Sequence, residues 1–238
     1  MLDKKRGYAY HRPFWAVDTN VNIQAGMIAF LTSVGGVVTA TTAASGTVPI
    51  GTFWKDRANS FIRSTKENGT FDANNIITLS KGNILSTAFV RVTNAAETTV
   101  YTQGVDYTIT TANGIVTRLP GGAIAAGAVV VVTYRYSVSS TQVYWDNVST
   151  KWSTGYNYDR QNDDTLGSSK ITIAASDAIL FTDQYDVNHT YTLNAPLYSD
   201  ANSLWTNVAG YTSVCGRVVS VPTASDPFLG VQQIMVAM

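Results

Sequence analysis

Short apolar runs, each closed by Gly, Asn, Asp, Ser or Pro, recur along this chain at intervals of about ten residues. The clearest are Met27–Leu31, Val37–Thr39, Ile76–Leu79, Phe89–Val92, Tyr107–Ile109, Val129–Tyr136, Ile171–Ile173 and Val218–Val221. Runs this short and this frequent leave no room for crossover helices, so they predict an all-β chain built as a barrel or sandwich. The one stretch with a helical period, DRANSFIRST at 56–65, is weak.

Two segments share a rhythm. AGMIAFLTSVGGVVTATTAASGTVPIGTFWKD (25–56) and APLYSDANSLWTNVAGYTSVCGRVVSVP (195–222) each give a strand, a turn, a second strand, a small-residue loop and a further strand around a glycine. An internal repeat and a coincidence between two β meanders both fit that pattern. Between them, aromatics thin out, and residues 64–137 read as a small β unit inserted into a larger domain made from 17–63 and 138–238. Residues 1–16 read as an extended arm. Within the insert, Asn113-Gly114 between DYTITTA and IVTRL is a two-residue hairpin signal, because both turn positions need positive φ. The glycine-rich LPGGAIAAGA that follows could cradle a phosphate only if a helix N-terminus came next. What comes next is Val129–Tyr136, which can only be a strand. Gly121-Gly122 therefore make a turn, Ile124 pins the loop to the module's core, and Gly127 admits the chain into the strand.

The hairpin VYTQGVDYTITTANGIVTRLPGGAIAAGAVVVVTYRY resembles a small immunoglobulin-like β module of tailed-bacteriophage structural proteins. The flanking meanders, GMIAFLTSVGGVVTAT…VPIGTFWKD and APLYSDANSLWTN…VCGRVVSVPTASDPFLGVQ, resemble the head-decoration (cement) proteins of phage capsids. That family implies a small β-barrel, a trimer seated at local three-fold positions of the shell, and an N-terminal arm laid along it. This chain departs from the family in being about twice its usual length and in carrying the insert.

Charge supports a structural reading. Charged residues make up 13% of the chain, against roughly 25% in an ordinary soluble domain. Sixteen Lys and Arg balance sixteen Asp and Glu, so no net field draws nucleic acid or an anionic membrane. A surface this poor in charge is wet by hydroxyls and amides or covered by neighbours, and permanent interfaces shed charge at their cores. No apolar run approaches the roughly 20 residues of a membrane helix. The basic, aromatic N-terminus lacks the apolar stretch of a secretory signal, so synthesis in a host cytoplasm is expected.

Chemistry is sparse. Cys215 is the one cysteine, so no intramolecular disulfide forms, and its alternating apolar context makes it an inert buried thiol. His11 and His189 have no nucleophile motif beside them, and no GxSxG, HExxH, Walker or GxGxxG pattern occurs. Asp159, Asp163 and Asp164 lack the spacing of an EF-hand and read as a solvated loop. Asp183, Asp186, Asp106 and Glu97 offer carboxylates for glycoside hydrolysis, but nothing in the sequence sets their separation. The most distinctive segment is MLDKKRGYAYHRPFWAV, where Lys4, Lys5, Arg6 and Arg12 interleave with Tyr8, Tyr10, Phe14 and Trp15. Such a segment docks on a partner with aromatic anchors or stacks on nucleic acid. With the rest of the chain neutral, docking on a capsid is the expectation, with the arm mobile in the unbound protein. Trp54, Trp145, Trp152 and Trp205 serve a core, a subunit interface or a sugar-binding face.

These readings converge on a non-enzymatic virion protein without cofactor or metal. It is expected on the capsid surface as a homotrimeric decoration protein whose partner is the major capsid protein, with neither membrane nor nucleic acid involved. A tail, fibre or baseplate protein that binds host glycans is the alternative.

Overall fold

The computed structural model describes residues 2–6, 11–16, 23–24, 26–34, 37–41, 49–53, 61–138, 144–146, 151–153, 170–174, 178–210 and 212–234. The described chain is all-β and its named strand pairings are antiparallel. It divides into two compact units. The first comprises Met1–Phe61, Ser139–Val221 and Phe228–Met238; the second comprises Ile62–Val138 and Pro222–Pro227.

The second unit is a two-sheet sandwich. Strands β6 (Phe61–Thr70), β11 (Val129–Val138) and β8 (Val90–Asn94) form one sheet in the order β6-β11-β8. Strands β7 (Ile76–Thr78), β10 (Ile115–Arg118) and β9 (Tyr107–Thr110) form the other in the order β7-β10-β9. One core lies between them, with Val90, Val92, Val130, Val132 and Tyr134 from the first sheet meeting Ile77, Tyr107 and Val116 from the second. Ile124 of the glycine-rich loop is buried in the same core. The unbroken valine run of β11 is buried on both faces, Val131 and Thr133 as well as Val130 and Val132. That is why it does not alternate with polar residues as a half-exposed strand would.

Three expectations change in this region. DRANSFIRST does not continue as a helix, because Phe61 begins a ten-residue strand; residues 56–60 lie outside the described residues. The β9–β10 hairpin has Thr110 opposite Ile115, so its loop has four residues and only Gly114 takes a positive φ, 64°. The boundary also shifts: Pro222–Pro227, assigned by the sequence to the larger domain, joins the second unit. The Lys66 Nζ donates to the Pro222 carbonyl at 2.9 Å, a local sink for a cation that is almost fully buried.

The first unit holds two larger sheets. Strands β2 (His11–Ala16), β3 (Ile28–Val34), β4 (Val37–Thr41), β5 (Pro49–Phe53) and β14 (Lys170–Ala174) form a sheet in the order β2-β14-β5-β3-β4. Strands β15 (Ile179–Thr182), β16 (Pro196–Ser199), β17 (Trp205–Thr206), β18 (Gly216–Ser220) and β19 (Leu229–Gln233) make a second in the order β15-β19-β18-β16-β17. A further strand, β1 (Leu2–Arg6), is added beyond β15. A two-stranded ribbon, β12 (Tyr144–Asp146) with β13 (Lys151–Ser153), stands as a sheet of its own.

Leaving β1 aside, the two larger sheets are the same module. In each, the first strand in the chain pairs with the fifth, then come the fourth, the second and the third. Their backbones agree bond by bond. Gly26 N–H donates to the Phe53 carbonyl and Phe53 N–H donates to that of Met27; Asn194 N–H donates to Val218, and Val218 N–H to Ala195. Met27 N–H reaches Gln24 as Ala195 N–H reaches Thr192. Gly26 and Asn194 both take positive φ, 96° and 63°, and Ala29 pairs with Gly51 as Leu197 pairs with Gly216. Asn and Gly are the residues that tolerate this conformation. The repeat is thus carried by hydrogen bonds and turn residues, and little of it by identical side chains. The two modules differ in their last connection. Residues 54–169, including most of the second unit, separate β5 from β14, whereas only 221–228 separate β18 from β19.

Candidate functional site

The segment expected as a mobile arm is extended, but it is paired within its own unit. Lys4 and Arg6 stand in β1, with Lys4 opposite Leu180 and Arg6 opposite Ile179, and Lys5 lies between them at a register shift. Arg12 and Trp15 stand in β2 opposite Ile173 and Ile171. Phe14 and Pro13 fall in the shift between those pairs. Proline has no N–H for a ladder, so a bulge on an edge strand is where it is tolerated. Backbone hydrogen bonding to β14 and β15 overrides the expectation of a free arm. Tyr8 and Tyr10 lie outside the described residues.

The four candidate tryptophans separate. Trp205 is core: its side chain is 1% exposed and its indole Nε1 donates to the Gly26 carbonyl at 2.9 Å. The alternating turn residues around SDANSLW gave no hint that this ring points inward, and its place at a subunit interface or sugar face is corrected accordingly. Trp145 and Trp152 are register partners across the β12–β13 ribbon, flanked by the pair Asp146–Lys151. Trp54 lies outside the described residues.

The carboxylates are used structurally. Asp106 accepts from Thr102 N–H and Ala123 N–H, both at 2.7 Å, and ties the start of β9 to the glycine-rich loop. Those two backbone donors, Thr102 first, hold its carboxyl below the ordinary range against the opposing effect of burial. Glu97 forms an ion pair with Lys66. Asp183 is buried and accepts from Gln184 Nε2 at 2.9 Å. Asp186 meets His189 Nε2 at 3.1 Å and accepts from Asn188 N–H. Nearby, Asp200 caps its own loop by accepting from Asn202 and Leu204 N–H, and burial pushes its carboxyl up. Asp106 and Glu97 belong to one unit and Asp183 and Asp186 to the other. Asp159, Asp163 and Asp164 lie outside the described residues. Among the described residues, no group of three or more His, Cys, Asp or Glu is placed to hold a metal ion.

A cavity of about 10 Å³ lies beside Cys215, lined also by Ile28, Gly51, Trp205 and Gln233. That is room for about one water and no substrate. Burial pushes the Cys215 thiol up, the opposite of what a nucleophile requires.

What the sequence did not single out is the outer edge of β15. AILFT at 178–182 is a short apolar run between SD and DQ, the same punctuation as the other strands, and it receives β1 on one side and β19 on the other. No helix is long and apolar enough to cross a membrane among the described residues. Compared with protein-family models, with curated proteins and with solved structures, the chain finds no match in any of the three.

Proposed function

We propose that this protein is a non-enzymatic structural component of a virion, bound to the outside of the major capsid shell as a decoration or cement protein. The observation that carries the reading is a charge-poor, all-β unit that bears a second, self-contained β sandwich in one of its interstrand connections. The first unit supplies sheet edges that can be buried against neighbours. The second has its own core and can be carried without contributing to the first. The resemblance of 26–56 and 195–232 to head-decoration proteins supports the same reading, and with it a homotrimer contacting the major capsid protein. Its action would be mechanical: interfaces of roughly 1,600 Å², repeated across the shell, resist the pressure of the packaged genome.

Particles assembled with and without the protein test this. The expected outcome is loss of regular surface density in electron micrographs of the depleted particles, together with bursting at lower temperature or on chelation. Intact, equally stable shells with lost adsorption would instead establish the alternative, a tail, fibre or baseplate protein binding host glycans. That alternative draws on the Trp145–Trp152 register pair, since tryptophan offers a flat apolar surface suited to sugar rings.

A further inference from the structure

We propose that β1 is an exchangeable strand, and that the outer edge of β15 accepts the β1 of a second copy of this chain. The argument begins with the duplicated module. Among the described residues, the sheet β2-β14-β5-β3-β4 has five strands and ends at β2, whereas its counterpart has the five equivalent strands and then β1 beyond β15. The first module is therefore complete without a sixth strand, and β1 can leave the second without breaking the order of the remaining five.

The local chemistry of β1 makes leaving easy. Four residue pairs hold it to β15, with a register shift between Lys4 and Arg6 interrupting the ladder. Local opening is cheapest where few regular backbone bonds must break.

Departure of β1 exposes a row of backbone donors and acceptors on β15, and a bare sheet edge is a template for another strand. The occupant that fits is already defined by the chain itself: a second β1 repeats the pairs Leu2–Thr182, Asp3–Phe181, Lys4–Leu180 and Arg6–Ile179. Exchanged and unexchanged forms hold identical contacts, so protein concentration decides between them.

The corresponding edge of the first module does not compete. β2 is the counterpart of β15, but Pro13 interrupts it at a bulge and Arg12 sits beside it. Proline and charge are the devices that close a sheet edge to pairing. Each copy then carries a β1 to give and a β15 edge to receive one, the condition for closed dimers or rings.

Residue pairing sets the experiment. Antiparallel partners have Cα atoms about 4.5–5.5 Å apart, within disulfide range. Two full-length chains with different tags, both Cys215→Ala, carry Arg6→Cys in one and Ile179→Cys in the other. Mixed under mild oxidation, they are expected to give a disulfide-linked heterodimer whose yield rises with protein concentration and is lost when residues 2–6 are deleted from the donor. A single chain carrying both substitutions is expected to close within itself at low concentration, which also shows that the substituted protein folds. Intrachain closure with no heterodimer at any concentration overturns the proposal. So does failure of the doubly substituted chain to close, since β1 would then not pair with β15. The assay needs no capsid, so its failure leaves the virion reading standing, and failure to bind capsids leaves strand exchange standing.

Discussion

The indole Nε1 of Trp205 donates to the carbonyl of Gly26 at 2.9 Å, joining two residues that are 179 apart in the chain. Gly26 lies just before β3 of the first module and Trp205 opens β17 of the second, so this buried hydrogen bond joins the duplicated halves. The Thr182 Oγ1 approaches the same carbonyl from β15, and Thr52 Oγ1 donates to Gln233 Oε1 between the modules at 2.9 Å. Removing the ring is expected to weaken the junction between the halves. Trp205→Ala should cost about 3–5 kcal/mol, and Trp205→Phe, which retains most of the volume, about 1 kcal/mol for the lost bond. Urea unfolding followed by circular dichroism measures both, and a Trp205→Phe variant as stable as the parent would contradict a role for the indole N–H.

Asp106 makes the second unit sensitive to acid. Its carboxyl is held below the usual value by Thr102 and Ala123 N–H. A depressed carboxylate contributes stability above the unfolded pKa, about 3.9, and loses it as pH falls through the lower folded value. Asp106→Asn should therefore be less stable than the parent at pH 7, with the gap closing in acid. Amide exchange at Thr102 and Ala123, compared at pH 7 and near pH 3, reads this locally.

Two glycines distinguish strain from space. Gly104 has φ 80° with no atom within 4 Å of an added Cβ. Gly104→Ala should then cost about 1–2 kcal/mol, the strain of a left-handed residue alone. Gly114 has φ 64°, and a Cβ there would collide with the Lys81 carbonyl. Because Leu79 N–H donates to the Gly114 carbonyl at 2.8 Å, the turn cannot move aside without losing a bond. Gly114→Ala should be the more damaging of the two, by thermal unfolding of the full chain.

Alkali should reveal three protected tyrosines. Burial first, then Asp106, pushes Tyr107 up to about 12. Burial also raises Tyr134 and Tyr191 well above the ordinary value, with Glu67 acting on the first and Asp186 on the second. In the unfolded chain all three ionise near 10, so the stability they contribute is complete below that value and is lost as pH rises toward the folded values. Phenolate absorbance should show a late group of tyrosines that titrates only as the protein unfolds, and one smooth wave near 10 would contradict their burial.

Cys215 is expected to resist thiol reagents in the folded protein. Burial raises its thiol above the usual range, and Thr212 Oγ1 and the Ser213 carbonyl contact the sulfur at 3.3 and 3.2 Å. Labelling at pH 8 should be slow until denaturant is added. Prompt labelling would mean the loop at 212–215 opens readily.

Several features were legible from residue order. Val129–Tyr136 reads as a strand because an apolar run of that length follows the glycines, and Ile124 reads as an anchor because it is the one large apolar residue among the glycines and alanines of 121–128. The second unit's main segment shows in the loss of aromatics after Ser64 and their return after Ser137. The segment 222–227 does not, since its place depends on a lysine reaching a carbonyl 156 residues away. The Asn113-Gly114 turn was located but mistyped, because loop length is set by the register of β9 and β10 as well as by the two turn residues.

Strand content and the meander rhythm of 25–56 and 195–222 follow from the sequence by itself, because side-chain period and turn residues act over a few positions. Only the tertiary structure decided that the two meanders are the cores of equivalent modules. Their likeness lies in backbone bonds such as Gly26–Phe53 and Asn194–Val218, and dissimilar side chains can make those equally well. It alone decided that Trp205 is core, a matter of long-range burial. It also decided that the cationic N-terminal segment lies along β14 and β15, because a sheet edge accepts backbone groups whatever side chains they carry.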